Sequence, residues 1–292
     1  YDAAKGRLPH FRKAMKGFTM PALRPLFRNS LIAVATTAVL AGCASTTAGS
    51  VAGGQRSQLM VVSEAEIVQA AQQAFAQQNA KARAQGALVT SGAEFNRVNT
   101  VMRRLVPHVA QFRPDAARWP WELVLINTNE LNAHVMPGGK VTVYTGLLRR
   151  MGMTDDELAV VIGHEMAHAF REHSREQISQ QAVGDLAVSL GGALLGLGSG
   201  GTQLAGIAKQ VAVDMPYSRN MENEADIYGL ELAARAGYNP AAALTLWDKM
   251  AAAGAGQGPS FLSSHPSASD RTARIRAALP KLMPIYEAAR RR

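Results

Sequence analysis
The chain has 292 residues, 47% of them hydrophobic and 18% charged, which fits a globular protein of one or two domains with a real core. Its formal net charge of +9 raises nucleic acid or an anionic membrane as partners, but residues 1–42 hold seven Lys and Arg against one acid, Asp2. The remainder carries 24 basic and 21 acidic residues, an excess matched by Arg290, Arg291 and Arg292, so the body is close to neutral and nucleic-acid binding is excluded as the main business of the chain.

Residues 1–42 read as a signal peptide. A basic region up to Arg28 precedes the apolar run "LIAVATTAVL", Leu31 to Leu40, with Met15 or Met20 as candidate starts. Ten residues make a helix of about 15 Å, roughly half of a bilayer's hydrocarbon core, so the run is too short to span. "LAGCAS" follows, and Cys43 is the only cysteine. Leu40-Ala41-Gly42-Cys43 resembles a bacterial lipoprotein signal, in which the cysteine is lipidated and anchors the chain to the membrane. The plainer alternative is an ordinary signal peptide and an unpaired thiol. Ala44 after the cysteine favours the outer membrane over the inner.

Residues 43–62 are small, polar and glycine-bearing ("ASTTAGSVAGGQRS", Ala44 to Ser57), and are expected to be a flexible tether ahead of a single domain over 63–292. Ser63 and Glu66 make a capping box for a helix to about Gln85, and a second helix is expected from about Ala93 to Ala110. "WELVLIN" (Trp121–Asn127) and "KVTVYTG" (Lys140–Gly146) read as strands, with "NAHVMPGG" between them as a strand and a Gly138-Gly139 turn. The rest reads as helices over 154–180, 184–198, 202–213, 219–236, 240–253 and 267–290. The glycine-rich stretch 186–201 suits a close-packed helical hairpin better than a membrane span. The fold class is α+β, a small sheet embedded in helices.

"ELAVVIGHEMAHAFREH" (157–173) is apolar nearly all round a helix, yet carries His164, Glu165 and His168 at its centre. Buried polar side chains need partners. His164 and His168 lie about 40° apart on one face, one turn above the other, so both imidazoles can hold one zinc ion. Glu165 is beside that site, where it can take a proton from a water molecule. H-E-x-x-H on a helix is a metalloprotease signature with that mechanism. Thr154 and Glu157 mark the helix start as a second capping box. The bland reading is a pair of core histidines bonded to carbonyls, with Glu165 on an arginine.

The metzincin pattern fails here, since Arg171 and Ser174 stand where Gly and His are required. His173 is about 180° round from His164 and cannot join the same ion, and no glycine breaks the helix before Gly184. A third ligand is therefore expected from "SRNMENEADIYG" (Ser218–Gly229). Glu222 and Asp226 share a face, which makes Glu222 the ligand and Asp226 the acceptor that orients a ligand histidine. Glu224 as ligand is the alternative.

These segments, with "LNAHVMPGGKVTVYTGLL" and "SSHPSASDRTARI", resemble the zinc metallopeptidases related to HtpX and the CAAX-prenyl endopeptidases. The nearest look is the soluble bacterial lipoprotein branch (LoiP- and BepA-like), similar also to the Oma1 peptidase domain. The resemblance runs from about Glu94 to Ala278 and implies a mainly helical, gluzincin-type domain with one Zn2+ per chain. Its E-x-x-x-D ligand motif falls on Glu222 and Asp226. It also implies that His265 and Arg271 sit near the metal as catalytic groups, with His265 either stabilising the oxyanion or occupying the open metal position as a removable plug. His134, His108 and His10 have no such support as functional groups.

The expected activity is zinc-dependent peptide hydrolysis of misfolded or unassembled envelope proteins at the periplasmic face, with Glu165 as base. The strand Asn132, Ala133, His134, Val135, Met136 is expected to bind an extended substrate by strand addition. The alternatives are a periplasmic chaperone working with the outer-membrane assembly machinery, and a structural or zinc-storage lipoprotein with a closed four-ligand site.

Overall fold
The structure, a computed structural model, describes residues 43–194, 216–253, 260–266 and 270–291. The expected leader, His10, the helix over 202–213, the end of the glycine-rich stretch and the first residues of the helix expected over 267–290 lie outside them.

Two short strands, β1 (Cys43–Ala44) and β2 (Gln58–Leu59), pair antiparallel and precede helix α1 (Glu64–Ala84). Then come β3 (Leu88–Val89), α2 (Ala93–Leu105), two turns of 3-10 helix at Val106–Gln111 and Ala116–Arg118, β4 (Glu122–Ile126), β5 (Ala133–Met136) and β6 (Lys140–Tyr144). The chain closes with α3 (Thr145–Met151), α4 (Asp155–Phe170), α5 (His173–Leu194), α6 (Arg219–Arg235), α7 (Ala242–Ala253), α8 (Ser260–Ser264) and α9 (Arg271–Arg290). Among the described residues, no helix is long and apolar enough to cross a membrane.

The main sheet has the order β3-β4-β6-β5, with β4 and β6 parallel and the other pairs antiparallel. Successive side chains alternate between its faces. Leu123, Leu125, Ala133, Val135, Val141 and Val143 enter the main core with the helices, whereas Val124 and Met136 pack on Ala71 and Phe75 of α1. On that second face Gln78 of α1 donates to Thr142 Oγ1 (2.8 Å) and meets His134 Nε2 (3.0 Å), so His134 is a buried structural residue.

β5 is an edge strand. Tyr144 N–H donates to the Asn132 carbonyl at 3.0 Å, which fixes which residues of the β5–β6 ladder exchange bonds. Counting from there, Ala133 and Val135 fall in the non-hydrogen-bonded pairs, and their backbone groups face away from β6. The Ala133 N–H is held by Asn132 Oδ1 at 2.9 Å.

The Thr154–Glu157 capping box forms as expected and starts α4, with Thr154 Oγ1 accepting from Glu157 N–H and the Glu157 carboxylate accepting from Thr154 N–H. The Ser63–Glu66 box does not form: Ser63 is the N-cap, but its side chain makes no capping bond, and Arg113 holds the first-turn Glu64 at 2.7 Å. Pro107 sits at the start of a 3-10 segment, so α2 stops at Leu105 instead of Ala110. The expected helix 154–180 is broken after Phe170, where Glu172 takes φ 54° and the chain restarts as α5 at His173. Arg113 Nη1 and Arg175 Nη1 each stand 3.1 Å from the Glu172 carboxylate and hold that bend.

The expected flexible tether is a fixed strap. Ala48 N–H donates to the Phe112 carbonyl (2.9 Å), Tyr228 Oη donates to the Ala48 carbonyl (3.1 Å), and Val51 N–H donates to Glu231 (2.8 Å). Gln58 and Thr47 are buried. Small polar residues gave the segment the look of a linker, but its backbone bonds run to the domain.

Candidate metal centre
Helices α4 and α6 cross at glycines. A Cβ on Gly163 would stand 2.7 Å from the Gly229 carbonyl oxygen, and one on Gly229 would stand 2.6 Å from His164 N. The two backbones touch there, which lets the short carboxylates of α6 reach the imidazoles of α4. His164, Glu165, His168, Glu222 and Asp226 are all buried in that crossing.

One donor atom each from His164, His168, Glu222 and His265 lie within 4.8 Å of one another. His164 Nε2 is 3.1 Å from His168 Nε2, 3.2 Å from His265 Nδ1 and 3.4 Å from Glu222 Oε2. Glu222 Oε1 is 3.3 Å from His168 Nε2 and 3.0 Å from His265 Nδ1. Four donors around a tetrahedral ion at 2.0–2.1 Å stand about 3.3 Å apart, so the spacing fits one divalent cation. Glu222 Oε2 and Glu165 Oε1 are buried without a hydrogen-bond partner, a cost that a cation and its ligands relieve.

The other sides of the imidazoles are equally specific. His164 Nδ1 is 3.0 Å from Asp226 Oδ1, which also accepts from Arg271 Nη2 at 2.5 Å. An Nδ1–H donated to Asp226 leaves Nε2 with its lone pair toward the cluster. Asp226 thus stands on the Nδ1 side of His164, sharing the α6 face with Glu222. Arg271 stands beside His164, near the cluster, where the resemblance puts it. It is buried, stacked 3.5 Å over the Trp247 ring, and its guanidinium lies on the Nδ1 side of His164 with Glu222 Oε2 3.5 Å away. It clamps the Glu222 and Asp226 carboxylates of α6.

His168 has a partner that sequence reasoning missed. Its Nδ1 is 2.9 Å from His173 Nδ1, and His173 Nε2 is 3.0 Å from Glu224 Oε2. His173 does not enter the cluster, but the bend at Glu172 turns it back against a candidate ligand. Glu224, the alternative third ligand, faces His173 and Arg171 (2.9 Å), not the cluster. The Tyr217 ring stacks on His168 with centroids 4.0 Å apart, and its hydroxyl bonds Ser174 Oγ at 2.8 Å. Nothing in the spacing marked Tyr217, but the run of charged and polar residues directly after the motif helix was a signal for His173.

Burial pushes the Glu165 carboxyl up to about 7, against the pull of His265, whose Nε2 is 3.3 Å away. The Val135 N–H of β5 points at the same carboxyl. Burial would also raise Glu222, but the facing His265 and His164 outweigh it and hold that carboxyl well below the usual range. Burial lowers His168 to about 3, keeping it neutral as a metal ligand must be. His265 itself stands between Glu222 and Glu165, in the place of a fourth donor.

The family model of peptidase family M48 matches residues 92–279. The chain is 40% identical over 163 residues to the mitochondrial metalloendopeptidase OMA1 of Schizosaccharomyces pombe, covering 55% of this chain and 47% of that protein. It is 28% identical over 254 residues to the metalloprotease LoiP of Escherichia coli, covering 85% of this chain and 95% of that protein. A third relative is the beta-barrel assembly-enhancing protease of Escherichia coli, 28% identical over 197 residues, with 64% of this chain and 39% of that protein covered. The chain spans half or less of the length of its mitochondrial relatives. With the H-E-x-x-H helix, the converging carboxylate and the family match together, the chain belongs to peptidase family M48 and carries a metallopeptidase domain of mainly helical α+β fold.

Proposed function
We propose that this protein is a zinc endopeptidase of the bacterial envelope that cuts unfolded or unassembled proteins. The tetrahedral spacing of His164, His168 and Glu222 donors beside a buried Glu165 carries the reading. Bound zinc would supply a Lewis acid for the scissile carbonyl and the attacking water. Glu165 takes the proton of that water and gives it to the leaving amine, a task suited to a carboxyl near 7. Asp226 and His173 fix the rings of His164 and His168. The outward carbonyls of Ala133 and Val135 pair with an extended substrate, which the side chains of β5 do not read. Such a site selects chains whose backbone is unpaired.

His265 is a removable fourth ligand in this reading, and substrate entry requires α8 and the residue after it to give way. Lipidation of Cys43 would place the enzyme on the periplasmic face of the outer membrane. The lipoprotein-like leader supports that location. A second reading, an assembly factor that binds clients and seldom cuts them, draws support from His265 in the cluster and from the relative named for beta-barrel assembly.

The test is metal analysis and casein cleavage for wild type and Glu165→Gln. The variant should keep one zinc and lose cleavage. Cleavage at the wild-type rate would remove Glu165 from its role, and wild type without stoichiometric metal would overturn the reading.

A further inference from the structure
The protons of the His168 side settle in one pattern if Nε2 is to hold a metal. His168 must then donate from Nδ1 to His173 Nδ1, and His173 must donate from Nε2 to Glu224. The relay ends on a buried carboxylate whose second oxygen, Oε1, meets Arg171 Nη2 at 2.9 Å and Arg56 Nε at 3.2 Å.

Both of those cations are tied to the strap that precedes α1. Arg56 belongs to it, and its guanidinium also forks onto Glu176, with Nη2 to Oε2 at 2.7 Å. Arg171, fully buried, donates from Nη1 to Thr47 Oγ1 at 2.6 Å, and its carbonyl accepts from Gln58 Nε2 at 2.7 Å. Gln58 Nε2 also reaches Glu176 at 2.8 Å, and Thr46 Oγ1 donates to Gln58 Oε1 at 2.9 Å. Two arginines and two carboxylates thus share one cluster, buried except for the half-buried Arg56, and three strap residues, Thr47, Arg56 and Gln58, converge on it. A linker needs none of these contacts, and surface packing alone does not explain why they meet behind one imidazole.

We propose that the strap over residues 45–59 is part of the metal-holding apparatus, with Arg56 a positioning residue that acts on His168 through Glu224 and His173. This rests on the reading of His168 as a metal ligand. Losing Arg56 frees Glu224 to turn from His173, and the ring of His168 loses its fixed orientation. Outer groups of this kind are worth about 10- to 100-fold in metal affinity.

The experiment compares full-length wild type, Arg56→Ala, Arg56→Lys, His168→Ala and Arg97→Ala. Arg97 pairs with Asp155 on the exposed start of α4, away from the relay. Zinc release to a chelator, the visible spectrum of the cobalt-loaded protein, and kcat and KM on an unfolded substrate are measured. Arg56→Ala should release zinc about 10-fold or more faster. It should also shift the cobalt spectrum and lower kcat at unchanged KM. Arg56→Lys, which keeps the charge but not the fork, should fall between, and Arg97→Ala should match wild type. Should Arg56→Ala not fold, Arg56→Lys carries the comparison. Zinc release within twofold of wild type in a folded Arg56 variant, with His168→Ala metal-free, overturns the strap proposal alone. Zinc retained by His168→Ala overturns the metal-ligand reading beneath it.

Discussion
Gly229→Ala tests whether the backbone contact of α4 and α6 sets the size of the metal cage. The new Cβ would lie 2.6 Å from His164 N and 2.8 Å from Gly163 C and His164 Cα, all of them backbone atoms that cannot rotate away. Ordinary contact begins near 3.4 Å, so α6 must withdraw by about 0.8 Å. Alanine would favour the isolated helix by about 1 kcal/mol over glycine. Overpacking of this kind costs about 1–3 kcal/mol, so the steric term wins. The consequence for the site is larger, because metal–ligand distances tolerate only about 0.2 Å and Glu222 rides on the helix that moves. Chelator competition should show zinc bound at least about 10-fold more weakly, with a lower melting temperature for the metal-free protein. Unchanged zinc affinity together with a raised melting temperature would show that the crossing has slack and refute the argument.

Glu165 is raised in the folded state, so its contribution to stability is complete below the unfolded value of 4.5 and is lost as pH rises through about 7. Metal-free Glu165→Gln should therefore be more stable than metal-free wild type at pH 8 by roughly 3 kcal/mol, and match it at pH 4. Denaturant titrations at the two pH values decide this, and an equal difference at both would reject it. His265→Ala should turn over an unfolded substrate faster while binding zinc more weakly, and a dead but metal-loaded variant would make His265 a catalytic group instead. Val135→Pro removes an N–H that the β6 ladder does not use and that points at the Glu165 carboxyl. Cleavage should fall about 10-fold at unchanged zinc content, the worth of about one hydrogen bond to Glu165; unchanged cleavage would show that the base does not need that bond.

The parts of this molecule that were legible in the sequence are those governed by helix geometry. Spacing alone put His164 and His168 on one face, set Glu222 and Asp226 together, and turned Glu224 away. The Thr154–Glu157 cap was legible from bonds that close within four residues, whereas the equally local Ser63–Glu66 pattern forms no box. What stayed hidden depends on distant partners. The bend at Glu172 contains neither glycine nor proline, and Arg113, far back in the chain, holds it. The helical period therefore ran straight past it to His173. The strap hid for a similar reason, since a few long-range polar bonds fix it and no hydrophobic pattern announces them. Arg271 was found by resemblance, but the side of His164 on which it stands was not a property of the sequence.

Glu172 is the described non-glycine residue with a left-handed backbone, a conformation that costs about 1–2 kcal/mol outside glycine. Glycine would relieve that cost, yet it would strip two arginines of their shared counter-charge. Selection at this corner thus faces opposed demands, comfort of the main chain against fastening by the side chain. Drift toward glycine, the ordinary fate of tight turns, would here unlatch the element that brings His173 round.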